Sequence, residues 1–248
     1  MRITTEMMLT QSLQDLEANQ NRLATAQAQL SSGTQLPTVA TDPGAAEQVM
    51  ALNTTITTND QYLRNVDTAN AWLSATDSAL QGVNTTLARG QQLAVEGANG
   101  TLNASDRQNM AAEVDTLVAQ VVQLGNSSYL GSYVFAGAQT TSPPFALTNG
   151  SVVYNNTDPT SATKPLQRVI GPGDQVVVNT IGHDPTTQQG LLDQVLGALT
   201  GLSQSLNAND TTAIQASITQ LTSAQQTLTQ SEASVGATMN RVSAAHDQ

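Results

Sequence analysis

The chain has 248 residues, of which 39% are hydrophobic but only 3% aromatic, and it carries no cysteine and a net charge of −11. A core so poor in aromatics must be built from Ala, Leu and Val, which suits long helices packed on one another and argues against a pocketed enzyme. The acidity, with Lys164 the single lysine, argues against nucleic acid and anionic membrane as partners, and the lack of cysteine excludes disulfides and thiolate sites.

In chain order, the first feature is a seven-residue repeat of leucine at Leu9, Leu16, Leu23 and Leu30, the spacing of a seam between helices. Gln20 and Gln27 stand where a full coiled coil would repeat Leu13. The stripe over Thr5 to Leu30 is therefore thin, and the helix needs a partner. Ser31, Ser32 and Gly33 close it, Pro37 prevents a restart, and Leu36 to Ala40 reads as extended. Thr41 or Asp42 then caps a second helix with Pro43 in its first turn. Its stripe runs through Leu52, Val66, Leu73, Leu80 and Leu87, flanked by Ile56 and Leu63, so one helix is expected from Gly44 to about Glu96. Polar residues at Asn59, Asn70, Asp77 and Asn84 interrupt that seam and would fix its register.

A turn at Gly97, Asn99 and Gly100 precedes a third, antiparallel helix, capped by Asn103 or Ser105 and carrying Met110, Val114, Leu117, Val121 and Leu124. Past Ser127 the composition changes to β-branched and aromatic runs punctuated by Gly and Pro. Strands are expected at Tyr129 to Ala136, at Phe145 to Leu147 paired with Val152 to Tyr154 across Asn149-Gly150, and at Gln175 to Val178. Together these form a small β-rich domain near the lower limit for a core of its own. Helix resumes near Thr187, breaks at Asn207 to Asn209, and ends in a second heptad run: Ile214, Leu221, Leu228, Val235 and Val242. The expected core of the helical rod is thus Leu52, Ile56, Leu63, Val66, Leu73, Leu80, Leu87, Leu117, Leu124, Leu221, Leu228 and Val235, with Leu9, Leu16, Leu23 and Leu30 as an assembly seam.

No catalytic, cofactor-binding or metal-ligating constellation stands out. His183-Asp184 reads as a solvated turn, and Asp106, Glu113 and Asp115 beside Arg107 read as a hydrated helix surface with ion pairing. No nucleophile elbow, His-Glu-x-x-His or phosphate loop is found. The first residues lack an apolar run long enough for a secretory signal, so an exported chain would need a route without a cleaved one.

Leu30-Ser31-Ser32-Gly33, then Asp42-Pro43 and Ala45-Ala46, resemble the N-terminal region of bacterial flagellins, and the helix–turn segment Arg89 to Arg107 strengthens the likeness. Gly131-Ser132-Tyr133-Val134-Phe135-Ala136-Gly137 and the opening Met1-Arg2-Ile3-Thr4-Thr5 resemble the hook-associated protein 3 branch of that superfamily. The likeness covers residues 1 to about 145 and, more loosely, Ser231 to Arg241.

The resemblance implies a mainly α fold with a β insertion: an inner D0-like helix and linker (1–40), a discontinuous helical D1 rod (41–130 with 190–248) and a small β-rich D2 insertion (131–189). It implies a structural subunit of the flagellum, without cofactors, that joins the hook to the filament. Its expected partners are hook-associated protein 1, flagellin, further copies of itself and an export chaperone, and its expected location is outside the cell. In that family a second inner helix would follow Val242. The resemblance also implies contact of Arg89, Leu93 and Glu113 with a vertebrate innate immune receptor. A short flagellin subunit, and a carbohydrate-binding or enzymatic module in the β insertion, are the competing expectations.

Overall fold

The computed structural model describes residues 5–32, 43–148, 150–155 and 158–247. The expected Gly33 cap, the Leu36 to Ala40 stretch, the Thr41 or Asp42 cap and Asn149 of the hairpin turn lie outside the described residues. Two compact units divide the chain, residues 1–58 and 59–248. Among the described residues no helix is long and apolar enough to cross a membrane.

The first unit holds α1 (Thr5–Ser32) and the opening turns of α2 (Pro43–Gly97). Leu9, Leu16, Leu23 and Leu30 are all exposed on α1, Leu30 to 87%. With no apolar face covered, helical hydrogen bonds alone must hold this element, which is marginal in water. In the same unit Met50, Leu52 and Ile56 are also exposed.

The second unit is built on four helices. The N-terminus of α3 (Ala104–Gly125) is capped by Asn103, whose side chain accepts from Asp106 N at 2.9 Å. α5 (Leu191–Asn207) and α6 (Thr211–His246) follow the β-rich segment, Asp210 capping α6 by accepting from Thr212 N and Ala213 N. Directions follow from side-chain contacts. A β-carbon placed on Gly82, Gly90 or Gly97 of α2 would meet Leu124, Leu199 or Leu206 at 2.9, 2.5 and 2.5 Å, while Leu117 and Met110 lie beside Gly90 and Gly97. α3 therefore runs antiparallel to α2 and α5 parallel to it. Each glycine costs about 1 kcal/mol of helix propensity relative to alanine, and each opens a notch that a leucine occupies.

α6 returns antiparallel, with Gln225 Nε2 donating to Asn84 Oδ1 (2.7 Å), Asn84 Nδ2 donating to Glu232 (3.1 Å) and Gln91 Nε2 donating to Leu221 O (3.4 Å). The heptad residues Ile214, Leu221, Leu228, Val235 and Val242 are buried, as are Val66, Leu73, Leu80, Leu87 and Leu117, and Leu124 is half-buried against them. Leu52, Ile56 and Leu63 correct the expected rod core, since all three are exposed. The α2–α6 register brings the last residues of α6, Ala244 to His246, beside Tyr62 and Leu63.

The β-rich segment is three separate antiparallel hairpins: β1 (Ser128–Tyr129) with β2 (Ser132–Tyr133), β3 (Phe145–Thr148) with β4 (Ser151–Tyr154), and β5 (Gln167–Gly171) with β6 (Asp174–Val177). A one-turn helix, α4 (Pro159–Ala162), lies between the second and third. Val134, Phe135, Phe145, Ile170, Val176 and Val178 are buried here and belong to the same hydrophobic cluster as the helices. Two-stranded sheets are too small to bury a face alone, so they fold onto the rod rather than round a core of their own.

Candidate assembly surfaces

The helical surface of the second unit is mostly polar, and its charges are of two kinds. Arg89 is exposed and pairs with Glu113 across α2 and α3, Nε and Nη2 lying 2.7 and 2.6 Å from Glu113 Oε1. Such a pair contributes about 0.2–1 kcal/mol. Leu93 is 1% exposed. It lies on the α2 stripe of Gly90 and Gly97 that receives α3 and α5, so the expectation of a receptor contact through Leu93 is corrected: only Arg89 and Glu113 face solvent.

Arg107 is the opposite case. Sequence spacing made it a surface ion-pairing residue, yet it is 4% exposed and donates to Gly97 O (2.9 Å), Asn99 O (2.8 Å), Leu102 O (3.0 Å) and the side chain of Asn209. Those carbonyls belong to the end of α2 and the turn after it, where a helix presents unpaired acceptors and a partial negative charge. Asn209 belongs to the α5–α6 turn and has φ +53°, a left-handed geometry that asparagine tolerates. One buried cation therefore ties together both turns at this end of the unit.

His183 is likewise not a solvated turn residue. It is 6% exposed, stacks on Tyr154 (ring centroids 4.0 Å apart, planes 6° apart), and sets Nδ1 2.7 Å from Asp193 Oδ1. Asp193 Oδ2 accepts from Asp184 N (2.9 Å) and Gly190 N (3.1 Å), and Leu191 N and Leu192 N donate to Ile181 O and Gly182 O. The first turn of α5 thus starts at Leu191 rather than Thr187, because the preceding residues wrap over it. A β-carbon on Gly190 would lie 2.5 Å from Gly182 O, and one on Gly182 would meet Phe135 at 2.8 Å, so the two glycines let this loop close. Burial, reinforced by Asp193, raises the Tyr154 pKa to about 12. Asp184 is held below the usual carboxylate value by donation from Thr187 Oγ1 and from the backbone of Thr186 and Thr187. Among the described residues there is no cluster of three or more His, Asp or Glu side chains placed to hold a metal.

The buried side chains of Arg107, His183 and Asp193 thus hold turns and packing together. Exposed apolar side chains include the leucine ladder of α1 with Met50, Leu52 and Ile56 in the first unit and Leu63 and Leu130 in the second, where the Arg89–Glu113 pair also faces solvent.

Residues 3–140 match the family described as the bacterial flagellin N-terminal helical region. The chain is 31% identical over 154 residues to Flagellar hook-associated protein 3 of Escherichia coli (strain K12), covering 62% of this chain and 49% of that protein. It is 32% identical over 151 residues to the protein of that name from Salmonella typhimurium, covering 60% and 48%. It thus spans about half the length of the curated relatives it matches. Bacillus cereus FlgL shares the fold, with a TM-score of 0.65 at 22% identity over 80% of this chain and 93% of that one. The long α2, the antiparallel return of α3 and the family match over more than half of its residues make this chain a member of the bacterial flagellin N-terminal helical region family.

Proposed function

We propose that the chain is a structural, non-enzymatic subunit of the bacterial flagellum, an adaptor joining the hook, through hook-associated protein 1, to the flagellin filament. The observation that carries this reading is the match of about 150 residues to two hook-associated proteins 3. Its mechanism is packing. The exposed leucines of α1 await a helical partner, and the rod meets like and unlike neighbours through its sides. In this reading residues 1–40 are the D0-like part, 41–130 with 190–248 the D1 rod and 131–189 the D2 insertion. The chain is exported without a cleaved signal, escorted by a flagellar chaperone, and works outside the cell.

Deleting the gene tests this. Hooks should be built and flagellin should escape into the medium, with motility restored by the gene in trans. Intact filaments on the deletion strain would sink the proposal.

A further inference from the structure

The turn from α2 to α3 contains the pair Asn99-Gly100, which joins an electrophile to a nucleophile along the chain. Asn99 Oδ1 accepts two hydrogen bonds, from Thr101 N (3.1 Å) and Thr101 Oγ1 (3.0 Å), and both draw electron density away from Cγ. The next amide is unguarded. Gly100 is exposed, a β-carbon built on it would meet nothing within 4 Å, and its N–H donates to no group among the described residues. Asn84 and Asn126 are the contrasting cases. Each uses both ends of its side-chain amide in contacts across the fold, with Gln225 and Glu232 or with Phe145, and each precedes a residue with a β-carbon.

The main-chain carbonyl of the same residue is held by a cation. Arg107 Nη2 donates to Asn99 O at 2.8 Å, and Arg107 is 4% exposed. Its other acceptors are Gly97 O, Leu102 O and Asn209 Oδ1, so all the acceptors of this buried guanidinium are neutral. A buried cation is better compensated by an anion than by neutral dipoles. The turn thus polarises both carbonyls of Asn99, one through Thr101 and the other through Arg107.

We propose that Asn99-Gly100 is a self-modification site, where the chain converts its own backbone to an isoaspartyl linkage and Arg107 directs the outcome. Gly100 N gives its proton to hydroxide and attacks Asn99 Cγ. The new C–N bond closes a succinimide ring, the Cγ–Nδ2 bond breaks, and the amide leaves as ammonia after taking a proton from water. Water then opens the ring at one of its two carbonyls. Arg107 polarises the α-carbonyl, so water adds its hydroxyl there, the bond from that carbon to Gly100 N breaks, the nitrogen takes the proton, and the new acid ionises. The chain now runs through Cβ and Cγ of residue 99, and the former main-chain carbonyl is a carboxylate beside Arg107. Opening at Cγ instead would give ordinary aspartate. This chemistry needs no partner and stands apart from the flagellar reading above.

The full-length chain tests this directly. It is held in mildly alkaline buffer, native or in urea, then digested with trypsin, and the peptide carrying residue 99 is followed by mass spectrometry for exchange of ammonia for water. Isoaspartyl methyltransferase reads the isoaspartyl share. In the native chain residue 99 should convert at least tenfold faster than Asn103 of the same peptide, and at least tenfold faster than in Gly100→Ala. The ratio of isoaspartate to aspartate should be at least twofold higher in the native parent than in urea or in native Arg107→Met. Trp72 fluorescence reports whether Arg107→Met is folded, and where it is not, the parent's native and urea ratios decide. An unchanged Asn99, a rate indifferent to Gly100→Ala, or equal ratios in the native and unfolded parent would each overturn the proposal.

Discussion

Replacing Arg107 by methionine keeps most of the side-chain volume and removes every donor. Three backbone carbonyls and the Asn209 amide then lose a charged partner. A hydrogen bond to a charged group contributes about 1.5–3 kcal/mol, less where water can replace it. The bond to Gly97 O is fully buried and the other three are partly so. Counting one bond at about 2 kcal/mol, three at about 0.5–1, and a return of about 1 from no longer burying a charge, Arg107→Met should cost about 3 kcal/mol. In a unit of this size that lowers the melting temperature by roughly 6–12 °C. Arg89→Met removes the exposed pair with Glu113 and a long, exposed bond to Gln92, and should cost under about 1 kcal/mol. Urea titration followed by fluorescence of Trp72, the single tryptophan and 5% exposed, reads the stability of this unit. Equal losses for the two arginines would refute the clamp. So would a normal-sized Arg107→Met loss with no coupling to Asn209→Ala in a double-mutant cycle, since the bond between the two turns would then do nothing.

Gly90→Ala sets helix propensity against packing: its β-carbon would lie 2.5 Å from Leu199 Cδ2, and Leu199 is fully buried, so a net loss of about 1–2 kcal/mol is expected. Gly197→Ala on α5 meets nothing within 4 Å and should gain up to about 1 kcal/mol, and the two signs are read in the same urea titration. Tyr154 has its pKa raised from 10.0 to about 12, so its neutral form is the one the fold favours. Its contribution is fully present below pH 10 and is lost as the pH rises through about 12, and the gap in urea midpoint between the parent and Tyr154→Phe should narrow across that window. In α2, Thr54, Thr55, Thr57 and Thr58 each return their hydroxyl to the carbonyl four residues back and lie exposed, whereas Leu80, Val83 and Leu87 are fully buried. Amide hydrogen exchange over residues 50–58 should therefore outpace that over 80–94 by at least a hundredfold, and uniform protection would contradict the reading.

Much of the helical architecture is written locally. The seven-residue period of α6, the capping residues Asn103 and Asp210, and the break at Asn207 to Asn209 each act within a few residues, so the sequence alone placed the helices to within a few positions. The hairpin across Gly150 was legible for the same reason, its register being set by the turn. What the period cannot state is which partner covers a stripe. Leu80 and Leu52 stand on the same pattern, yet one is buried and the other exposed. The row of Gly82, Gly90 and Gly97 was a readable signal, three glycines at near-heptad spacing within one helix, but its meaning required the leucines opposite.

Charge was the least legible property. Arg89 and Arg107 look alike in sequence, as do His183 and His246. Desolvation and hydrogen bonding depend on groups more than a hundred residues away in the chain, such as Asn209 for Arg107. Sequence determined that this would be an aliphatic, helix-built protein with an exposed leucine ladder at its start and a neutral, turn-rich middle, since these follow from composition and period. Tertiary structure decided which polar groups became interior struts and that the β hairpins share the helical core. It also left Leu130 exposed between β1 and β2, because contacts between distant segments decide which apolar side chains are covered.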